Sequence, residues 1–173
     1  MKIAEYKEFA RELNKPKTYE FNIALEGFEK EIKRKVLAES TMNLDDFCRY
    51  IVYSMRGDLS HMYTLKRGKE YLDEDVLQAR DLNYLRLEKG QRLKLVYDMG
   101  DNWTFKITVA KIIDGFTGDR KFKVISGKGY GIIDDCGGTY GLYNIFIGKN
   151  KDWGVYDINN FDLDEINMRV DFL

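Results

Sequence analysis

Histidine, proline and cysteine are scarce in this chain of 173 residues, which contains one His, one Pro and two Cys. A single His excludes every metal site built on two or more histidines, including the HExxH metalloproteases. Two Cys exclude a structural zinc site with four cysteine ligands and any disulfide-dense scaffold. Because Cys48 and Cys136 lie far apart in the sequence, free thiols are the simplest expectation for them.

The chain also lacks a charge excess and a long apolar run. It has 28 Lys and Arg against 29 Asp and Glu, a formal net charge of −1, which argues against binding to nucleic acid or a membrane through bulk charge. No uncharged stretch approaches the roughly 20 apolar residues of a bilayer span. Residues 1–8 carry charges throughout and lack the apolar segment of a signal peptide. We therefore expect a cytoplasmic protein with no membrane partner and little affinity for nucleic acid.

The hydrophobic periodicity predicts a single α+β domain over residues 1–173, with a mainly antiparallel sheet built from hairpins and flanking helices. Helical spacing covers residues 3–14, 43–55 and 162–170. Strand alternation covers 18–26, 92–97, 103–109 and 122–126, more weakly 32–36, and a strand or hairpin is predicted over 62–72. The pattern leaves 73–86 open between helix and loop, and it predicts a loop with strand fragments for the Gly-rich residues 127–141.

The first candidate site is the turn from Asp98 to Trp103, which joins two predicted strands. Asp98 and Asp101 are three positions apart, so their carboxylates could converge on a hard cation such as Mg²⁺ or Ca²⁺. Without a cation, their proximity would raise the pKa of one of them. Turn chemistry alone also favours Asp, Gly and Asn at these positions, and this simpler interpretation stays open.

The second candidate site is the segment Asp134-Asp135-Cys136-Gly137-Gly138. A nucleophilic Cys136 would need a neighbouring base, and His61 is the only histidine that could serve. The adjacent Asp residues disfavour a thiolate, so we expect a buried structural thiol instead. A lone histidine is usually a polar residue whose hydrogen bonds are made within the fold. The alternative is that His61 has a function. The chain has neither a GxSxG elbow nor a Walker A motif.

The two candidate segments belong to one longer pattern. Residues 87–103 read Leu-x-x-Gly-x-x-Leu-x-x-x-Tyr-Asp-x-Gly-Asp-x-Trp, and Asp-Asp-Cys-Gly-Gly follows at 134–138. This pattern resembles the Ri-plasmid ORF-three-like family, which is also called a transposon passenger protein family and belongs to the MM-type α+β superfamily. The resemblance covers residues 17–171 and leaves 1–16 as an N-terminal helix.

The resemblance implies an α+β fold and an association with mobile elements, but it implies no established activity. The family usually has histidines where this chain has Phe105 and Cys48. A family function that uses those histidines would be lost or altered here. His61, by contrast, stands at a position that matches the family.

These observations predict a small ligand- or partner-binding module, not an enzyme, whose site lies between the two turns with His61 as a third wall. The ligand is an unknown small molecule or protein, and we assign no catalytic residue, cofactor or metal. The candidate ligand-binding residues are His61, Tyr97, Asp98, Asp101, Trp103, Asp134, Asp135 and Cys136. One alternative is a metal-assisted hydrolase that uses Asp98, Asp101, Asp134 and Asp135. A third hypothesis is a nucleic-acid-binding accessory protein, whose affinity would fall steeply with salt.

Overall fold

The computed structural model describes residues 2–116 and 118–173, so Met1 and Thr117 lie outside the described residues. The strands are β1 (Lys17–Leu25), β2 (Lys33–Glu39), β3 (Tyr63–Arg67), β4 (Glu70–Leu72), β5 (Arg92–Tyr97), β6 (Trp103–Asp114) and β7 (Phe122–Lys128). The helices are α1 (Ile3–Leu13), α2 (Leu44–Ser54), α3 (Glu74–Ala79), α4 (Gly138–Phe146) and α5 (Leu163–Asp171), with short 3₁₀ helices at Leu82–Leu85 and Lys151–Trp153.

The described strands form one antiparallel sheet in the order β4-β3-β5-β6-β1-β2-β7. The hairpins β3-β4, β5-β6 and β1-β2 join strands that are consecutive in the chain. The prediction of an α+β fold with an antiparallel sheet and flanking helices is therefore confirmed. Within residues 2–116 and 118–173, no helix has the length and apolar character needed to cross a bilayer.

One face of the sheet is apolar and carries the core. Cross-strand partners share a face, and Phe21 and Ile23 of β1 pair with Val109 and Ile107 of β6, each at most 1% exposed. Helix α2 packs on this face, with the ring of Phe47 5.1 Å from that of Phe21. Burial of each such side chain stabilises the fold by about 1.5–3 kcal/mol. The alternation of apolar residues in the strands therefore determines which face of the sheet the helices cover.

Arg34 is the exception on this apolar face, because it is charged and only 1% exposed. Its guanidinium donates to the carbonyl oxygens of Ser54, Lys33, Lys128 and Gly129, at 2.8–3.0 Å. A fifth bond runs from Nη2 to the carbonyl of Tyr130 at 2.9 Å. Buried charge is tolerated only when it is hydrogen-bonded, and here the bonds tie the end of α2 to the chain that follows β7.

Helix α4 is the main departure from the sequence prediction, which assigned residues 127–141 to a loop with strand fragments. That prediction is wrong from Gly138 onward, where the helix begins. Glycine is the poorest helix former after proline, so the local sequence hides this helix. Gly141 is required by packing, because a Cβ there would overlap the carbonyl oxygen of Cys136.

Two other segments are clarified by the structure. The undecided segment 73–86 forms α3 followed by a 3₁₀ helix. Helix α1 forms as predicted, but none of its residues is buried and Ile3 is 78% exposed. Its apolar stripe therefore contributes little to the core of the domain.

Candidate functional site

His61 lies where three separate segments meet: residues 57–62 after α2, the turn 98–102 between β5 and β6, and the loop 131–137 before α4. Its Nε2 is 2.9 Å from Oδ1 of Asp135 and 3.6 Å from Oδ2 of Asp98. One ligand atom from each of these three side chains lies within 4.8 Å of the others. We call His61, Asp98 and Asp135 the histidine–carboxylate cluster. Among the described residues, it is the one such grouping of three or more potential metal ligands.

The backbone of these three segments adopts an uncommon conformation. Six described non-Gly residues have a positive φ, and five of them, Arg56, Leu59, Asp98, Asn102 and Asp135, lie in or next to the three segments. Asp and Asn tolerate the left-handed region better than other residues with a Cβ. Strained conformations persist where the surrounding structure enforces them, and they concentrate at functional sites.

Asp101 and Asp134 hold the segments together instead of joining the cluster. The amide of Gly137 donates to Oδ2 of Asp101 at 3.1 Å, which joins the hairpin turn to the loop. The amide of Asp58 donates to Oδ2 of Asp134 at 2.8 Å, which joins the loop to the segment after α2. The structure does not gather the four carboxylates of the predicted hydrolase site, so it does not support that alternative.

Tyr97, Trp103 and Cys136, three further predicted site residues, are at most 8% exposed. The hydroxyl of Tyr97 donates to Oδ1 of Asp58 at 3.1 Å, and its ring meets the edge of His61 at 5.9 Å. Trp103 Nε1 is buried and has no hydrogen-bond partner among the described residues. These residues therefore lie in the core, and Tyr97 is the one with a contact to His61.

The thiol of Cys136 donates to the carbonyl oxygen of Gly138 at 3.7 Å. Burial first, and the negative charge of Asp101 second, raise the pKa of this thiol to about 12. The thiolate is therefore scarce near neutral pH, in keeping with the expectation of a structural cysteine.

The charges around His61 are coupled. Burial of the ring disfavours its charged form, but Asp98, Asp135 and Asp134 outweigh that effect and raise the pKa of His61. Burial, together with the charge of Asp58, raises the pKa of Asp134, whose Oδ1 is buried without a hydrogen-bond partner. The site thus gathers more negative than positive charge, and a cation would be favoured in it.

Asp58 is a member of this network that the sequence analysis missed. Its Oδ1 accepts a hydrogen bond from the amide of Ser60 at 2.8 Å. This is the turn that an Asp side chain makes with the backbone two residues ahead. The Asp-x-Ser pattern directly before His61 is the signal that would have pointed to it.

Two arginines fix the start of the loop that carries Asp135. The carbonyl of Tyr130 accepts from Nη2 of Arg34 at 2.9 Å and from Nε of Arg56 at 3.0 Å. Gly131 follows with φ 123°, and a Cβ there would overlap the carbonyl oxygen of Met55. Glycine is needed at this close approach. The loop therefore packs against the end of α2 before the chain reaches His61.

Comparisons with known proteins agree with the fold and leave the function open. A family model described as plasmid pRiA4b ORF-3-like protein matches residues 17–165. The crystal structure of MM3350, a protein of unknown function from Methanosarcina mazei Go1, is similar with a TM-score of 0.72 at 18% sequence identity. The similarity covers 88% of this chain and 98% of that one. No curated protein matches the chain.

Proposed function

This chain belongs to the plasmid pRiA4b ORF-3-like family, and from that premise and the geometry of the site we propose that it is a ligand-binding module for a divalent cation. The observation that carries the proposal is the convergence of His61, Asp98 and Asp135 within 4.8 Å on three strained segments. The cation would link segments that are otherwise held together by carboxylate hydrogen bonds.

The chemistry of the cluster favours a transition metal. Imidazole nitrogen suits Zn²⁺, Cu²⁺ and Ni²⁺, whereas ligand sets made only of oxygen suit Mg²⁺, Ca²⁺ and Mn²⁺. Three protein ligands leave at least one coordination position open, and the side chain of Asp135 is 68% exposed. We therefore expect Zn²⁺ to bind more tightly than Mn²⁺, Mg²⁺ or Ca²⁺.

The surrounding residues support a binding role. Asp101 and Asp134 are engaged by backbone amides, and the thiol of Cys136 is held protonated by burial. These three neighbours thus stabilise the shape of the cluster, and the Cys136 thiolate is scarce. The cytoplasmic location and the association with mobile elements remain predictions.

Calorimetric titration of the full chain with Zn²⁺, Mn²⁺ and Mg²⁺ tests the proposal. We expect one saturable site for Zn²⁺ or Mn²⁺. We expect Asp135→Asn to weaken binding by at least about tenfold, because a neutral amide replaces a charged ligand. Asn also tolerates the positive φ at this position. Asp152→Asn is the matched control, since Asp152 is exposed and outside the cluster.

The two variants make the result decisive. If no cation gives saturable heat, the cluster is a structural link between loops and the proposal is wrong. If Asp135→Asn and Asp152→Asn bind a cation equally well, the cation lies elsewhere and the assignment of this site is wrong. Thermal unfolding of each variant shows that the fold is retained.

A further inference from the structure

The face of the sheet opposite the helices is open and concave. It carries a cavity of about 750 Å³, a volume within the roughly 300–1,000 Å³ of small-molecule sites. The described residues that line the cavity all belong to β1, β2, β5, β6 and β7. The cavity is therefore a feature of the sheet alone, separate from the histidine–carboxylate cluster.

Two rows of cross-strand neighbours cross this face. The first row is Lys94, Lys106, Ala24, Lys33 and Lys128, and the second is Arg92, Thr108, Asn22, Lys35 and Ser126. Six of these ten residues are cationic and none is acidic. Like charges directly opposite each other destabilise a sheet. Glu26 bridges the opposed pair Lys94 and Lys106, but no carboxylate among the described residues bridges the opposed pair Lys33 and Lys128.

The size of the side chains gives the face its shape. Ala24, Asn22, Thr108 and Ser126 are short, and they lie between the long lysine and arginine side chains of the same rows. The result is a floor with hydroxyl and amide groups and a rim of flexible cations. This combination suits a ligand that is compact, polar and negatively charged.

The rim cations are only partly neutralised. Lys94 pairs with Glu26 at 2.9 Å, Lys106 with Glu29 at 2.6 Å and Lys35 with Glu20 at 3.4 Å; of these side chains, Glu20 is 9% exposed and the others are at least 41% exposed. Exposed ion pairs contribute little and can exchange for a better partner. Among residues 2–116 and 118–173, the side chains of Lys33 and Arg92 make no ion pair and no hydrogen bond.

We propose that this concavity binds a compact anion with two or three linked phosphate groups. Strands lie about 4.8 Å apart and alternate residues along a strand about 6.8 Å apart, so several rim cations can reach one short phosphate chain. Lysine and arginine are the usual phosphate-binding side chains. The phosphate chain could be inorganic or part of a nucleotide.

The lining disfavours an extended nucleic acid. Among the described residues, no aromatic side chain lines the cavity, whereas single-stranded nucleic acid is commonly held by bases that stack on aromatic rings. The near-neutral chain also lacks the bulk charge of a protein that binds a long polyanion. The ligand therefore needs to concentrate its charge within the cavity.

Calorimetric titration of the full chain with inorganic tripolyphosphate, and separately with a nucleoside triphosphate, tests the proposal. We expect saturable binding of tripolyphosphate and a loss of about tenfold or more in the double variant Lys33→Ala/Arg92→Ala, which removes two charged contacts. The matched control is Lys149→Ala/Lys151→Ala, which removes the same charge from exposed positions outside the cavity.

Each outcome decides for or against the cavity. Equal affinity for the two ligands supports recognition of the phosphate chain alone, and tighter binding of the nucleotide supports a nucleotide as its source. The proposal is overturned if neither ligand saturates at millimolar concentration, or if both double variants weaken binding equally. It is also overturned if a single-stranded oligonucleotide displaces tripolyphosphate with an affinity that rises with its length.

Discussion

Replacement of Arg34 by methionine removes every guanidinium hydrogen bond while keeping an unbranched stem in the core. Of the five acceptors, the carbonyls of Ser54 and Gly129 take part in fully buried bonds. A buried acceptor that loses its partner lowers the free energy of unfolding by about 1–3 kcal/mol. These two carbonyls alone therefore predict that Arg34→Met lowers it by about 2–6 kcal/mol. For a domain of this size, 1 kcal/mol shifts the melting temperature by about 2–4 °C.

Urea unfolding followed by tryptophan fluorescence measures this loss, because Trp103 is fully buried. The matched control is Lys33→Met, which changes the preceding residue of the same strand on its solvent face, where Lys33 is exposed. Surface changes of this kind are usually worth within about 0.5 kcal/mol. The reasoning is refuted if Arg34→Met lowers the free energy of unfolding by less than about 1 kcal/mol, since the buried carbonyls would then have other partners.

Three further predictions concern Asp134, the two cysteines and Gly141. Because the fold raises the pKa of Asp134, its ionisation opposes folding at neutral pH. Asp134→Asn should therefore raise the urea midpoint there, with the gain lost below the unfolded pKa of about 3.9. An unchanged midpoint would contradict this sign. Iodoacetamide near pH 8 should label Cys136 and Cys48 only after denaturation, as read by mass spectrometry, because both thiols are buried and have raised pKa values. Rapid native labelling of either would contradict the packing. Gly141→Ala should lower the free energy of unfolding by about 1–3 kcal/mol through overlap with the Cys136 carbonyl, although alanine is the better helix former; a stabilised variant would show that no overlap exists.

The strands of the sheet could be predicted because their apolar residues alternate, as in β1 and β6, and one face of each is buried. The beginnings of α2 and α5 could also be predicted from their capping residues. Asn43 and Asp162 accept backbone hydrogen bonds there, as their residue types predict. Helix α4 could not be predicted from local preference, because close packing requires its glycines: Gly138 lies against the carbonyl oxygen of Asp101 and Gly141 against that of Cys136.

The candidate site shows the same division. Both turns and His61 could be singled out from the sequence, because turn-forming residues and a single histidine can be recognised without knowledge of the fold. It could not tell that Asp98 and Asp135 would face His61 while Asp101 and Asp134 bind backbone amides. That assignment depends on the left-handed backbone of the turns and on how three distant segments meet.

The scarcity of histidine offers the most direct test of the account. His61 is the only histidine, so the imidazole signals in an NMR pH titration belong to this residue alone. Without metal, we predict a pKa above the usual value of about 6.5. The stabilisation from this charge is then present below about pH 6.5 and is lost as the pH rises through the folded pKa. With Zn²⁺ or Mn²⁺, the imidazole should resist protonation to lower pH and its Nε2 resonance should shift or broaden. Imidazole signals that titrate identically with and without either cation would contradict the proposed cation site.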